Sequence, residues 1–219
     1  LSTLSTREYP EVLKFIFYQK TGQKLNLKHP KTFNEKIQWI KLYDATELKS
    51  KLTDKVLVRD YVKDKIGEKY LKPIFQICNT YEEINIDKLP QQFVIKCNHG
   101  SKWHFIVKDK NSVISTKKTN ELFKKAINVW LSQKYCFLTH SSLEMQYMNI
   151  EPKILIEHLL RENIQKPPIE YEIYCFNGQP KLFQKISYTM EKLGYIDSEK
   201  IKEDKNIIII NNEEYKIFS

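Results

Sequence analysis

The sequence predicts an α+β protein, with a helical N-terminal region followed by strand-rich subdomains. Three observations carry that expectation. Amphipathic segments with capping residues run as far as Gly67, β-type apolar runs begin at Tyr70, and an Asn177-Gly178 turn lies between two alternating segments. Pro10 opens the first helix, whose apolar residues Val12, Leu13, Phe15, Ile16 and Phe17 lead to a stop at Thr21-Gly22. Thr32, with Glu35 three residues on, forms a capping box for a second helix striped by Phe33, Ile37, Ile40 and Leu42. A third helix is expected from Thr53 or Asp54 to Lys65, burying Val56, Leu57, Val58, Tyr61 and Val62 and stopped by Gly67.

The remaining elements follow the same logic. Residues 70–77 form a short extended run, and Pro90 introduces a strand that contains Phe93, Val94, Ile95 and Lys96. A helix over 119–130 places Leu122, Phe123, Ala126, Ile127 and Trp130 at core spacing. Residues 154–157 read as a strand ending in a carboxylate, and residues 170–176 alternate like a strand with one polar face. Asn177-Gly178 is a two-residue hairpin turn into residues 181–186, and residues 207–218 repeat the hairpin form around Asn211-Asn212.

In a chain of 219 residues, an apolar content of 41% with 12% aromatics supports a globular protein with one large core or two small domains. The net charge of +9, from 36 basic against 27 acidic residues, favours nucleotides, acidic glycans, nucleic acid or an anionic membrane surface as partners. Nucleic acid is set aside, because the lysines are not interleaved with aromatics on a helix-turn-helix, RNA-recognition or zinc module. Cys78, Cys97, Cys136 and Cys175 lack metal or redox spacing and read as reduced, mostly buried thiols. Without a signal peptide or an apolar run of about 18 residues, a cytoplasmic protein is expected, its charge allowing peripheral association with the inner membrane. The start at Leu1 and the end on a strand-like run read as a piece of a longer protein.

Chemistry concentrates between Gln92 and Lys108. An ammonium following Phe93-Val94-Ile95 costs free energy in a buried strand unless an anion meets it. The loop beyond can turn backbone N–H groups toward that anion, with Gly100 allowing positive φ or a close backbone approach, and Phe105-Ile106-Val107 returning to the sheet. The competing reading is a hairpin with Lys96 snorkelling off an edge strand. Lys55 and Arg59, four apart, read from the residues alone as surface partners of Asp54, Asp60 or Asp64. On the same basis His99 and His104 are structural histidines, and Trp39, Trp103 and Trp130 are core residues.

Five segments then follow one another in a recognisable order. They are Thr32-Phe33-Asn34-Glu35-Lys36-Ile37-Gln38-Trp39; Asp54-Lys55 with Val58-Arg59-Asp60-Tyr61-Val62; Phe93-Val94-Ile95-Lys96-Cys97-Asn98-His99-Gly100; Ile156-Glu157; and Tyr174-Cys175-Phe176-Asn177-Gly178. Over roughly residues 30 to 186 the chain resembles the TupA-like branch of the ATP-grasp superfamily, named for teichuronopeptide synthesis and found among bacterial capsule and cell-surface polysaccharide genes. The resemblance implies ATP clamped between two α+β subdomains, with Mg²⁺ bridging phosphates and acidic residues. It divides the chain into a helical region 1–67, a subdomain 68–153 with the lysine strand and glycine loop, and a second, incomplete subdomain 154–219.

Carried onto this chain, the resemblance gives Lys96 the α/β-phosphates and makes Lys55 the second lysine of the nucleotide site. The loop of Asn98, His99, Gly100, Ser101 and Lys102 folds over the phosphates, with His99 or Lys102 adding donors. Glu157 stands at the hinge that receives adenine and ribose, and Glu172 faces the same cleft. The sequence departs from the family in two places. The acidic strand and Gly-Glu-Leu-Thr type segment that hold the metal have no counterpart, and Glu172 stands where relatives carry lysine. Glu213 and Glu214 are adjacent, so on a strand they face opposite sides and cannot clamp one ion. Catalytic residues and metal ligands therefore stay unassigned. The expected activity is an ATP-dependent carboxylate–amine ligase of cell-surface polysaccharide synthesis, acting on an anionic sugar through an acyl phosphate and releasing ADP. The alternatives are a glycosyltransferase or a non-catalytic module that binds nucleotide or glycan.

Overall fold

Local capping chemistry starts and stops the first helices of the chain, here described in a computed structural model over residues 4–111, 117–138, 143–160, 169–187, 206–210 and 213–217. Helix α1, Tyr9–Thr21, has Pro10 in its first turn and ends at Gly22, whose left-handed φ of 68° lets its N–H bond the Tyr18 carbonyl at 2.8 Å. It buries Tyr9, Leu13 and Phe17 against Leu25, Leu27 and Leu143. Helix α2, Phe33–Tyr43, begins with the expected capping box between Thr32 and Glu35. Its apolar stripe is not a buried one, however. Leu42 packs against the α1 cluster, while Phe33, Ile40 and Trp39 stay exposed, the last against Tyr43.

The expected third helix is two. Helix α3, Glu47–Thr53, is capped by Thr46, and helix α4, Val58–Ile66, ends at Gly67. Asp54 makes the break: its Oδ1 accepts the N–H groups of Val56 at 2.8 Å and Leu57 at 3.3 Å, an Asx turn that competes with continued helix. None of the apolar residues expected to be buried here is so, and Leu57 and Tyr61 are exposed.

Two units are distinguished, Leu1–His158 and Leu159–Ser219. The first holds an antiparallel sheet of strands β1, Ile74–Cys78; β2, Phe93–Cys97; β3, His104–Val107; and β4, Ile154–His158, in the order β1-β4-β2-β3. The sequence reading placed residues 154–157 in the second subdomain. Strand β4 instead sits between β1 and β2, its first four residues buried, so the division falls after His158. One face of this sheet carries Phe93, Ile95, Val107, Ile154 and Ile156, covered by Phe123 and Ile127 of helix α5, Lys117–Ser132. Trp130 is half-buried there, and Leu122, expected in the core, points to solvent.

The second unit is a meander of β5, Ile169–Phe176; β6, Gln179–Ser187; β7, Asn206–Ile210; and β8, Glu213–Ile217. Both turn residues between β5 and β6, Asn177 at φ 51° and Gly178 at φ 73°, are left-handed, as a tight hairpin of this kind requires. The Asn211-Asn212 turn and Phe218 lie outside the described residues. All four cysteines are free thiols; Cys78, Cys97 and Cys136 are buried and Cys175 is exposed. No helix among the described residues is long and apolar enough to cross a membrane.

Candidate functional site

Strand alternation sends Phe93, Ile95 and Cys97 to the core and leaves Val94 and Lys96 on the opposite face. Register completes that face. His104 and Leu155 stand opposite Lys96, Ile106 and Glu157 opposite Val94, and Ile77 opposite Leu155. Ile77 and Leu155 therefore lie on one side of Lys96 and Glu157, and Val94 and Ile106 on the other, so a charged pair crosses an otherwise apolar face. Lys96 Nζ donates to Glu157 Oε1 at 2.6 Å, and Lys72 Nζ lies 3.6 Å from the same oxygen. Glu157 is buried, its side chain 4% exposed, so two ammonium groups converge on one desolvated carboxylate and leave a net positive charge. A single N–H of Lys96 is used this way among the described residues. Because β2 is flanked by β4 and β3, Lys96 is interior to the sheet and does not snorkel off an edge.

The loop joining β2 to β3 is closed by the Cys97 N–H to the Trp103 carbonyl at 3.1 Å. Its first residue is an anchor. Asn98, fully buried, exchanges two bonds with Lys153, the Asn98 N–H to the Lys153 carbonyl at 3.0 Å and the Lys153 N–H to Asn98 Oδ1 at 2.7 Å. Its Nδ2 donates to Asp54 Oδ1 at 3.0 Å and to the Glu151 carbonyl at 2.8 Å. Gly100 needs to be glycine for lack of space: a Cβ there would run into the Trp103 indole. Positive φ falls instead on Lys102, at 63°.

His99 does not offer a donor to a ligand. It is buried, with Nδ1 3.1 Å from Asn98 Oδ1 and Nε2 3.0 Å from the Trp130 carbonyl, and desolvation pushes its pKa below the usual histidine range. Ser101 and Lys102 are the exposed side chains of the loop. The backbone N–H groups of His99, Ser101 and Lys102 have no acceptor among the described residues, while Gly100 closes the turn at Asn98-His99. Unmet donors in a loop, one of them on a buried residue, are what an anion-binding concavity offers.

Lys55 reaches this loop from the break between α3 and α4. Its Nζ donates to the Asn98 carbonyl at 3.2 Å and to the Gly100 carbonyl, so it adds a second hold on the loop beside the Asp54–Asn98 bond. Burial, followed by the charge of Lys96, lowers its pKa to about 8. Neither it nor Arg59 makes the expected surface ion pair; Arg59 donates to the Lys72 carbonyl at 2.8 Å.

The first unit thus brings together Lys55, Lys96, Glu157 and the loop from Asn98 to Lys102. Glu172 belongs to β5 of the second unit, where it accepts from the Tyr174 hydroxyl at 3.3 Å. Two contributors escaped the sequence reading, Lys72 and the anchoring side of Asp54. The sequence signal for Lys72 was its place just before Pro73, whose carbonyl accepts the His158 N–H at 3.2 Å and so sets it beside the end of β4.

Ammonium groups and unmet backbone N–H groups suit phosphate oxygens. Among the described residues no three His, Cys, Asp or Glu side chains gather to hold a metal ion. In comparisons with known proteins, the family model described as TupA-like ATPgrasp matches residues 35–216. No curated protein and no solved structure matches the chain.

Proposed function

The chain belongs to the TupA-like ATP-grasp family, and from that premise we propose that it is an ATP-dependent carboxylate–amine ligase of bacterial cell-surface polysaccharide synthesis. The carboxylate of a sugar acid takes the γ-phosphoryl group of ATP, releasing ADP, and the amine then attacks the acyl phosphate to form the amide and expel inorganic phosphate. The nucleotide part of this reading is supported by the convergence of Lys96, Lys55 and unmet N–H groups of the 98–103 loop beside the open face of β2. The exposed Ile77 and the half-buried Val94 and Ile106 offer apolar contacts for a purine beside the Lys96–Glu157 pair, whose lysine meets the phosphates. Lys96, oriented by Glu157, directs its remaining N–H bonds to phosphate oxygens; Ser101 and Lys102 approach from the loop. Mg²⁺ bound with the nucleotide would screen phosphate charge, though among the described residues no set of carboxylates gathers to hold it. The protein residues contribute charge neutralisation in a desolvated setting, where it is strong and needs little rearrangement.

Omission experiments test the reaction. ADP release should require ATP, Mg²⁺, a uronic acid and a primary amine together, and amide product should appear in step with ADP. Tight ATP binding without ADP release under any pairing would make the chain a nucleotide-binding module. Sugar transfer from a nucleotide sugar would make it a glycosyltransferase.

The depressed pKa of Lys55 gives a pH test of its place at the site. A polyphosphate beside it favours the charged form and raises its pKa back toward the ordinary lysine range. Above pH of about 8 the free protein holds Lys55 neutral, so ATP binding takes up a proton there and affinity falls as pH rises, by up to tenfold per pH unit. Calorimetry in two buffers of different ionisation enthalpy measures the uptake. Lys55→Met should abolish it, and a pH-independent affinity in the unaltered chain would remove Lys55 from the phosphates.

A further inference from the structure

A cavity in the first unit lies beside the Asp54-Lys55 step. It measures about 590 Å³ and is formed by α3, the Asp54 turn and the segment 149–153 that leads into β4. Three carboxylates line it, Glu47, Asp54 and Glu151, against two lysines, Lys51 and Lys153. On a chain of net charge +9 this is an acidic pocket. Asp54 distinguishes it. The residue is 3% exposed, and every hydrogen bond its side chain accepts among the described residues, from Val56, Leu57 and Asn98, falls on Oδ1. Its Oδ2 has no partner among the described residues, and none of the three carboxylates is ion-paired there.

A desolvated carboxylate oxygen with no donor is costly to keep, unless a cation arrives to meet it. A metal ion is a poor match, since no three ligating side chains gather among the described residues. An ammonium group needs only one buried carboxylate and a polar surround, and the cavity has the volume of a monosaccharide-sized molecule. We propose that this cavity binds the primary ammonium group of a small polar amine, with Asp54 Oδ2 as its anion. Resting on the ligase reading above, this makes it the site of the amine substrate. Asp54 and Lys55 are then one divided element: the carboxylate faces the amine cavity while the lysine holds the phosphate loop, and Asn98, bonded to Asp54, joins the two.

The probes are glucosamine against glucose and ethanolamine against ethylene glycol, measured by ligand-observed NMR on the whole chain with and without ATP. Each amine is expected to bind at least tenfold more tightly than its neutral counterpart. Asp54→Asn retains Oδ1 as an acceptor for Val56 and Leu57 while removing the charge, and it should abolish the preference. Should that variant fail to fold, Ala45→Trp, which fills the cavity from an exposed position, serves in its place; it should lose the amine and keep ATP binding. Equal binding of amine and neutral probe, or a preference that survives Ala45→Trp or a folded Asp54→Asn, overturns the proposal. Amine preference in a chain that binds no ATP supports the pocket and overturns the ligase reading alone.

Discussion

Lys96→Met is expected to weaken ATP binding by well over tenfold and to destabilise the first unit by about 3 kcal/mol. The two effects have different origins. Binding falls because an interior strand loses its phosphate-directed ammonium, and stability falls because Glu157, buried, keeps only Lys72 at 3.6 Å. The double variant Lys96→Met/Glu157→Gln separates them. Removing the orphaned charge should return most of the stability measured by urea unfolding and none of the affinity measured by calorimetry. Affinity unchanged in Lys96→Met would remove the phosphate-site reading. Affinity restored in the double variant would mean that the lysine serves only to neutralise Glu157.

The second large effect is expected at Asn98, whose side chain contacts no solvent. Asn98→Ala strips partners from the Lys153 N–H, the Glu151 carbonyl and Asp54, and unseats His99. Each buried polar group left unmet costs about 1–3 kcal/mol, so a loss of about 3–5 kcal/mol is expected for the cluster. Asn98→Asp should do no better. It turns the Nδ2 donor into an oxygen facing the Asp54 carboxylate, and places two like charges in one desolvated site. A loss below about 1 kcal/mol in either variant would mean that water replaces the amide and that Lys55 and the backbone bonds suffice to hold the loop.

The local parts of this structure could be read from neighbouring residues. The apolar run Phe93-Val94-Ile95 with Lys96 next in line is the expected strand, though it is one-sided and leaves Val94 with Lys96 on the face opposite the core; the Thr32–Glu35 box opened α2, and Asn177-Gly178 turned its hairpin as expected. Sequence-distant pairings were another matter. Nothing in Ile154-Leu155-Ile156-Glu157 says that it lies between β1 and β2, and so the boundary between the units was set too early. Asp54 looked like a helix residue because its Asx turn and the helix compete for the same N–H groups, and only the tertiary bond from Asn98 decides the contest. His99 reads as structural from the residues and as a phosphate donor only through the resemblance; its bond to the Trp130 carbonyl, thirty-one residues away in the chain, is what no local pattern shows.

The Trp103 indole rests on Gly100, meets the His99 ring edge to face at 5.1 Å, and lies parallel to Trp130 at 6.5 Å. A short loop with a glycine is usually pictured as a flap that shuts on its ligand. Here the backbone is pressed onto an aromatic floor and pinned by Asn98 and Lys55, so its conformational freedom was surrendered when the protein folded. Little is left to lose when phosphate arrives, and the free energy of each new hydrogen bond goes into affinity without first ordering the chain that makes it.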